Sequence, residues 1–131
     1  MIYFIQDEKK ESEISGVSFD GITSNWTTNY KVKMRADKDC EVLSYCQYET
    51  KYDQNNLRYF LHSQIIVRDE ENIILETGKI TFTKWKSQGH KMGKFLAGKV
   101  YEVEIIFSTE DLPTSSIGAS GQFDFEFGIL E

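Results

Sequence analysis

Apolar and polar residues alternate along most of this chain. Tyr101, Val103, Ile105 and Phe107 fall on one side of the run that begins at Lys99, and Phe123, Phe125, Phe127 and Ile129 on one side of the last run. Stripes at period two mean strands with one face against a core. Tyr30, Val32 and Met34 alternate with Lys31, Lys33 and Arg35 in the same way, giving one dry and one wet face. Residues 40–48, CEVLSYCQY, are apolar or small on both faces and predict a central strand covered on both sides. Tyr59 to Val67 predicts a further strand, and Arg68 to Asn72 its turn. Ile73–Leu75 and Lys79–Trp85 predict a hairpin closed by Glu76-Thr77-Gly78, where glycine tolerates the positive φ of a tight turn.

Between these runs lie polar loops at Glu49–Asn56 and Lys86–Gly93. Residues 15–29, rich in Gly, Ser, Thr and Asn, predict an irregular surface segment pinned by Phe19, Ile22 and Trp26. The sum is about eight short strands with frequent turn signals, the pattern of an all-β protein. The expected fold is an antiparallel β-sandwich, jelly-roll-like, forming one domain over residues 1–131. Residues 1–15 supply an N-terminal strand and a charged connection, including the run DEKKESE at 7–13, and 16–131 the sandwich. A closed barrel fits the same alternation.

Composition narrows the functional classes. With 15 basic and 21 acidic residues the net charge is −6, which argues against a nucleic-acid partner and against adhesion to anionic lipid. Cys40 and Cys46 sit six apart on one predicted strand, about 20 Å between α-carbons, whereas a disulfide needs about 5.5 Å. Two free thiols and an N-terminus unlike a signal peptide predict a cytoplasmic protein.

No catalytic motif emerges, so a non-enzymatic role is expected. No G-x-S-x-G elbow or phosphate-binding glycine loop is present. His62 and His90 lack a Cys or His partner at zinc-ligand spacing; His62 reads as a half-buried structural residue and His90 as a solvated loop residue. Acidic residues in predicted turns, Asp37, Asp39, Asp69 and Glu71 among them, are the candidate ligands for calcium as a cofactor. Trp26 and Trp85 are candidates for a sugar-stacking platform, against the alternative that both serve the core. Tyr45, Tyr48, Tyr52 and Tyr59 gather around the 49–58 loop, and exposed tyrosine is favoured at protein interfaces.

The order of several segments resembles the calpain-type β-sandwich, the non-catalytic domain that follows the protease core in calpains and occurs alone in small calpain-related proteins. Gly16-Val-Ser-Phe-Asp20 followed by Trp26-Thr-Thr-Asn29-Tyr30-Lys-Val32 is similar to the start of that domain. Val42-Leu-Ser44-Tyr-Cys-Gln47 resembles its second strand, Phe95-Leu-Ala-Gly98-Lys-Val-Tyr101 the lead into a late strand, and Pro113 through Gly121-Gln-Phe123-Asp-Phe125 its final loop and strand. Tyr30 stands where the family has proline, the spacing after Gly98 is one residue longer, and the family's dense acidic loop is missing. The late Gly-x-Tyr is also similar to pre-peptidase-type sandwiches. The calpain-type resemblance implies a binding or scaffolding module that docks on a protein partner or adjoining domain. Carbohydrate binding through tryptophan and calcium-dependent membrane recruitment stand as the alternatives.

Overall fold

The computed structural model describes residues 2–4 and 13–130, so most of the charged run at 7–13 lies outside the described residues. Among the described residues ten strands form two stacked antiparallel sheets, with one short α-helix beside them. The strands are β1 (Ile2–Phe4), β2 (Glu13–Ile22), β3 (Thr27–Ala36), β4 (Cys40–Gln47), β5 (Leu61–Asp69), β6 (Asn72–Glu76), β7 (Ile80–Thr81), β8 (His90–Phe95), β9 (Val100–Thr109) and β10 (Ala119–Leu130). Helix α1 spans Phe82–Ser87. One sheet runs β1-β3-β9-β5-β6, with β7 also on β5; the other runs β2-β10-β4-β8. With β1 and β7 set aside, the eight remaining strands, counted along the chain, read 1-8-3-6 in one sheet and 2-7-4-5 in the other. That is jelly-roll order, in which the chain crosses repeatedly between layers.

The alternating stripes become the core. Tyr101, Val103, Ile105 and Phe107 of β9 and Phe123, Phe125 and Phe127 of β10 are all buried. Phe19 of β2 meets Phe107 edge-on with ring centres 5.0 Å apart, and Phe107 stacks on Phe125 at 5.2 Å. Strand β4 is central in its sheet, between β10 and β8, with Cys40 and Cys46 as separate buried thiols.

Three sequence expectations are overturned. Residues 15–29 are not irregular: β2 pairs with β10 from Glu13 to Ile22, and β3 starts at Thr27. Two register shifts in the β2–β10 ladder, with Gly16 and Gly21 at φ +66° and +62°, erase the period of two on this edge strand. Phe19 and Ile22 of β2 are fully buried in the core, while Ile14, Val17 and, just beyond the strand, Trp26 are half-buried against it.

The proposed 73–85 hairpin does not form either, because β6 and β7 both pair with β5. Between them Thr77 stands in as a strand residue. Its N–H donates to the Ile65 carbonyl at 2.9 Å, and its Oγ1 accepts from the Ile65 N–H at 2.8 Å.

The segment then turns helical. Thr81 caps α1 with its hydroxyl oxygen, which accepts from the Lys84 N–H at 3.3 Å. Phe82 and Trp85, three apart, share the inward face of the helix. Both are fully buried: Phe82 lies 4.9 Å from Phe123, and Trp85 stacks on Phe125 at 4.6 Å. The indole N–H donates to Ser44 Oγ at 3.1 Å, which satisfies its one polar group inside the core.

The third overturned expectation is the 86–93 loop. After α1 the chain stops at Gly89 and enters β8 directly, so His90 is buried rather than solvated. Gly89 holds φ +76°, and its N–H donates to the Trp85 carbonyl at 3.1 Å. A Cβ there would lie 2.7 Å from the Ser44 carbonyl oxygen. Gly89→Ala is therefore expected to destabilise the fold by at least about 2 kcal/mol, from left-handed strain plus a backbone clash. Urea denaturation of the two proteins measures it.

Candidate functional site

The four tyrosines around the 49–58 loop do not form one group. Tyr48, at the end of β4, and Tyr52 line a cleft of about 280 Å³ together with Gln47, Glu49, Gln122 and Asp124. Tyr59 joins them through Arg58, whose guanidinium lies 4.8 Å from the Tyr59 ring centre and 5.8 Å from that of Tyr48. Tyr45 stands apart, half-buried, where its ring would contact a Cβ placed on Gly89. Tyr52 and Tyr59 are half exposed, at 50% and 54%. Tyr48 instead packs edge-on against Phe123 at 5.7 Å, so it belongs partly to the core.

The loop that carries these rings has fixed structure. Two 3-10 turns, Thr50–Tyr52 and Leu57–Tyr59, flank a central bend, and Leu57 is buried beneath the second. Asp53, which sequence reasoning passed over as part of a polar loop, organises it. One carboxylate oxygen accepts from the Leu57 N–H at 2.8 Å; the other accepts from the Arg58 N–H at 3.1 Å and from its guanidinium at 3.0 Å. Asp53 has no exposed side-chain surface and Arg58 only 13%, so the pair is sheltered from water. The signal in the sequence is an aspartate three to five residues before Asn-Leu-Arg, a spacing that lets one carboxylate cap the following turn.

Cations decorate the cleft from within the chain. Lys86 Nζ lies 4.9 Å from the Tyr48 ring centre and donates to Gln47 Oε1 at 3.0 Å. Lys51 Nζ lies 5.0 Å from the Tyr52 ring centre and 3.3 Å from Glu49. The Lys51–Glu49 pair is exposed and adds little to stability. What the arrangement offers a partner is aromatic area, two carboxamides and carboxylates on a preset backbone.

The two tryptophans form no exposed stacking platform. Trp85 has no exposed face, because α1 drives it between the sheets, and Trp26 is half-buried with its ring 5.9 Å from Phe19. The calcium candidates have protein partners where the geometry gives them. Asp39 accepts from the Ala97 N–H at 2.8 Å, and Asp69 pairs with the Lys99 ammonium at 2.5 Å. Asp37 is exposed in the β3–β4 turn and Glu71 in the turn after β5. Among the described residues no three His, Cys, Asp or Glu side chains converge as an ion would require.

Ser63 and His90 make a hydroxyl–imidazole contact of 2.8 Å, the kind of pair that nucleophilic catalysis uses. Here both are buried, on β5 and β8, and the contact ties one sheet to the other. His62 is half-buried, its Nδ1 2.9 Å from the Phe60 carbonyl oxygen. Compared with family models, with curated proteins and with solved structures, the chain matches none of them. Among the described residues no helix is long and apolar enough to cross a membrane.

Two tests follow from these contacts. Asp53→Ala strands the Arg58 guanidinium and uncaps the second turn, so a loss of about 3 kcal/mol is expected in urea unfolding. Burial lowers the His90 imidazole from 6.5 to about 4. The unfolded chain takes up this proton below about pH 6.5 while the folded chain resists it until about pH 4. Stability should therefore be flat above pH 6.5 and fall below it, by up to about 3 kcal/mol, and His90→Asn should lose that slope. Unfolding free energies measured at half-unit pH steps from 7.5 to about 4.5 check this, a window that ends near the ordinary carboxylate range.

Proposed function

We propose that this chain is a non-catalytic β-sandwich module that docks on a protein partner or adjoining domain through the 49–58 loop and the adjoining Tyr59. The observation that carries the reading is the Asp53-locked loop holding Tyr52 and Tyr59 half exposed beside a cleft. A loop already in its bound shape spends little entropy on association, and tyrosine adds large contact area with only two side-chain torsions to fix. The segments similar to the calpain-type sandwich support the same role, since that domain works by contact and not by chemistry.

The rest of the surface offers less. On the outer face of the β1-β3-β9-β5-β6 sheet one charged cluster is matched within the chain: Arg68 contacts Glu104 at 2.8 Å and Glu102 at 3.5 Å, and Asn29 donates to Glu104 at 2.6 Å. Satisfied groups of this kind make a solvated face and a poor anchor.

A photo-cross-linking residue placed at position 52 should capture the partner, and one at Lys33, on the sheet face, should not. Tyr52→Ala combined with Tyr59→Ala should weaken binding of that partner at least tenfold while leaving the melting temperature within a few degrees. Capture at 33 and not at 52, or full affinity in the double variant, would remove the loop from the interface.

A further inference from the structure

The same loop borders a second cleft, of about 370 Å³, that shares no lining residue with the first. We infer that this second cleft takes a neutral, hydroxyl-rich ligand, a pyranose-based carbohydrate. Its volume falls within the range of about 300–1,000 Å³ usual for small-molecule sites. Its lining differs from the usual apolar wall. Three consecutive carboxamides, Gln54, Asn55 and Asn56, face Pro113 and the hydroxyl-bearing Ser115 across it, and Phe60 contributes the one aromatic ring.

No charged side chain lines this cleft, so neither an anionic nor a cationic ligand finds a countercharge. An apolar ligand would cover amide groups without replacing their water, which is unfavourable. A sugar meets both conditions, because each carboxamide offers a donor and an acceptor to adjacent hydroxyls while the ring's C–H face can lie on Phe60. Among the described residues the exposed Asn55 and Asn56 side chains have no hydrogen-bond partner, and Gln54 Nε2 donates to the Lys51 carbonyl at 3.4 Å.

The wall is built rather than fortuitous. Asn56 is held in the left-handed region at φ +59°, and its N–H donates to the Asp53 carbonyl at 3.1 Å. Buried Ser116 donates from Oγ to the Asn55 carbonyl at 3.4 Å, which ties the 113–116 turn to the 54–56 bend. The locked Asp53–Arg58 pair thus sets the amides of the second cleft as it sets the tyrosines of the first.

A glycan array probed with the intact chain should show binding to neutral glycans, with sulfated and sialylated ones no stronger. Titration of the best neutral glycan, followed by amide NMR, should shift residues 54–60 and 113–116 and give the same affinity at low and high salt. Asn56→Gly keeps the left-handed backbone and deletes only the amide; it and Asn55→Ala should each lower affinity at least tenfold. Tyr52→Ala should leave sugar binding intact, so failure here and failure of the partner-docking role are separable. A blank array, a preference for sulfated glycans, or affinity unmoved by both asparagine variants would overturn the assignment.

Discussion

The structure depends on how two curved sheets fill the gap between them. Facing sheets sit about 10 Å apart, and side chains alone must occupy that space at near-crystalline density. Here Phe82 and Trp85 enter the gap from a six-residue helix and complete a ring cluster whose other members, Phe19, Phe107, Phe123 and Phe125, come from three strands in both layers. Rings packed edge-on and stacked add to simple burial. Because α1 is so short, it is held by this insertion and by its caps, with little contribution from helix propensity.

The same insertion fixes what surrounds it. Trp85 reaches Ser44 on β4, and Gly89, which ends the helix, passes against the Ser44 carbonyl oxygen and the Tyr45 ring. One residue later His90 begins β8 and bridges to Ser63 on the opposite sheet. On its far side Phe82 lies against Phe123, and Phe123 supports Tyr48 at the edge of the first cleft. Core and rim are therefore mechanically continuous. The Asp53–Arg58 clasp, buried Leu57 and the Ser116 bond to the Asn55 carbonyl then hold the loop against that core.

How much of this could be read from residues alone varied with the size of the inward side chains and the regularity of the ladder. Strands β9 and β10 were plain because bulky residues recur at every second position. Strand β2 was hidden by two register shifts and by an edge position that buries only two of its side chains. Helix α1 was masked by β-branched and aromatic residues, although Phe82 and Trp85 at a spacing of three cannot share one face of a strand. The tyrosines of the candidate site were visible as types, but their fate turned on depth, which a single sequence does not carry. Tyr48 packs onto Phe123, Trp85 lies fully inside, and Asp53, a polar loop residue by type, orders the loop through its carboxylate. His90 and Ser63, 27 residues apart, meet only through jelly-roll crossing.

The claim on which all of this rests is that α1 seals Trp85 between the sheets. Replacing Trp26 by Phe leaves Trp85 as the only tryptophan, and its fluorescence then reports on that position directly. A sealed Trp85 gives blue-shifted emission that acrylamide barely quenches in the native protein, changing sharply when urea unfolds it. Red-shifted emission with ready quenching under native conditions would contradict it.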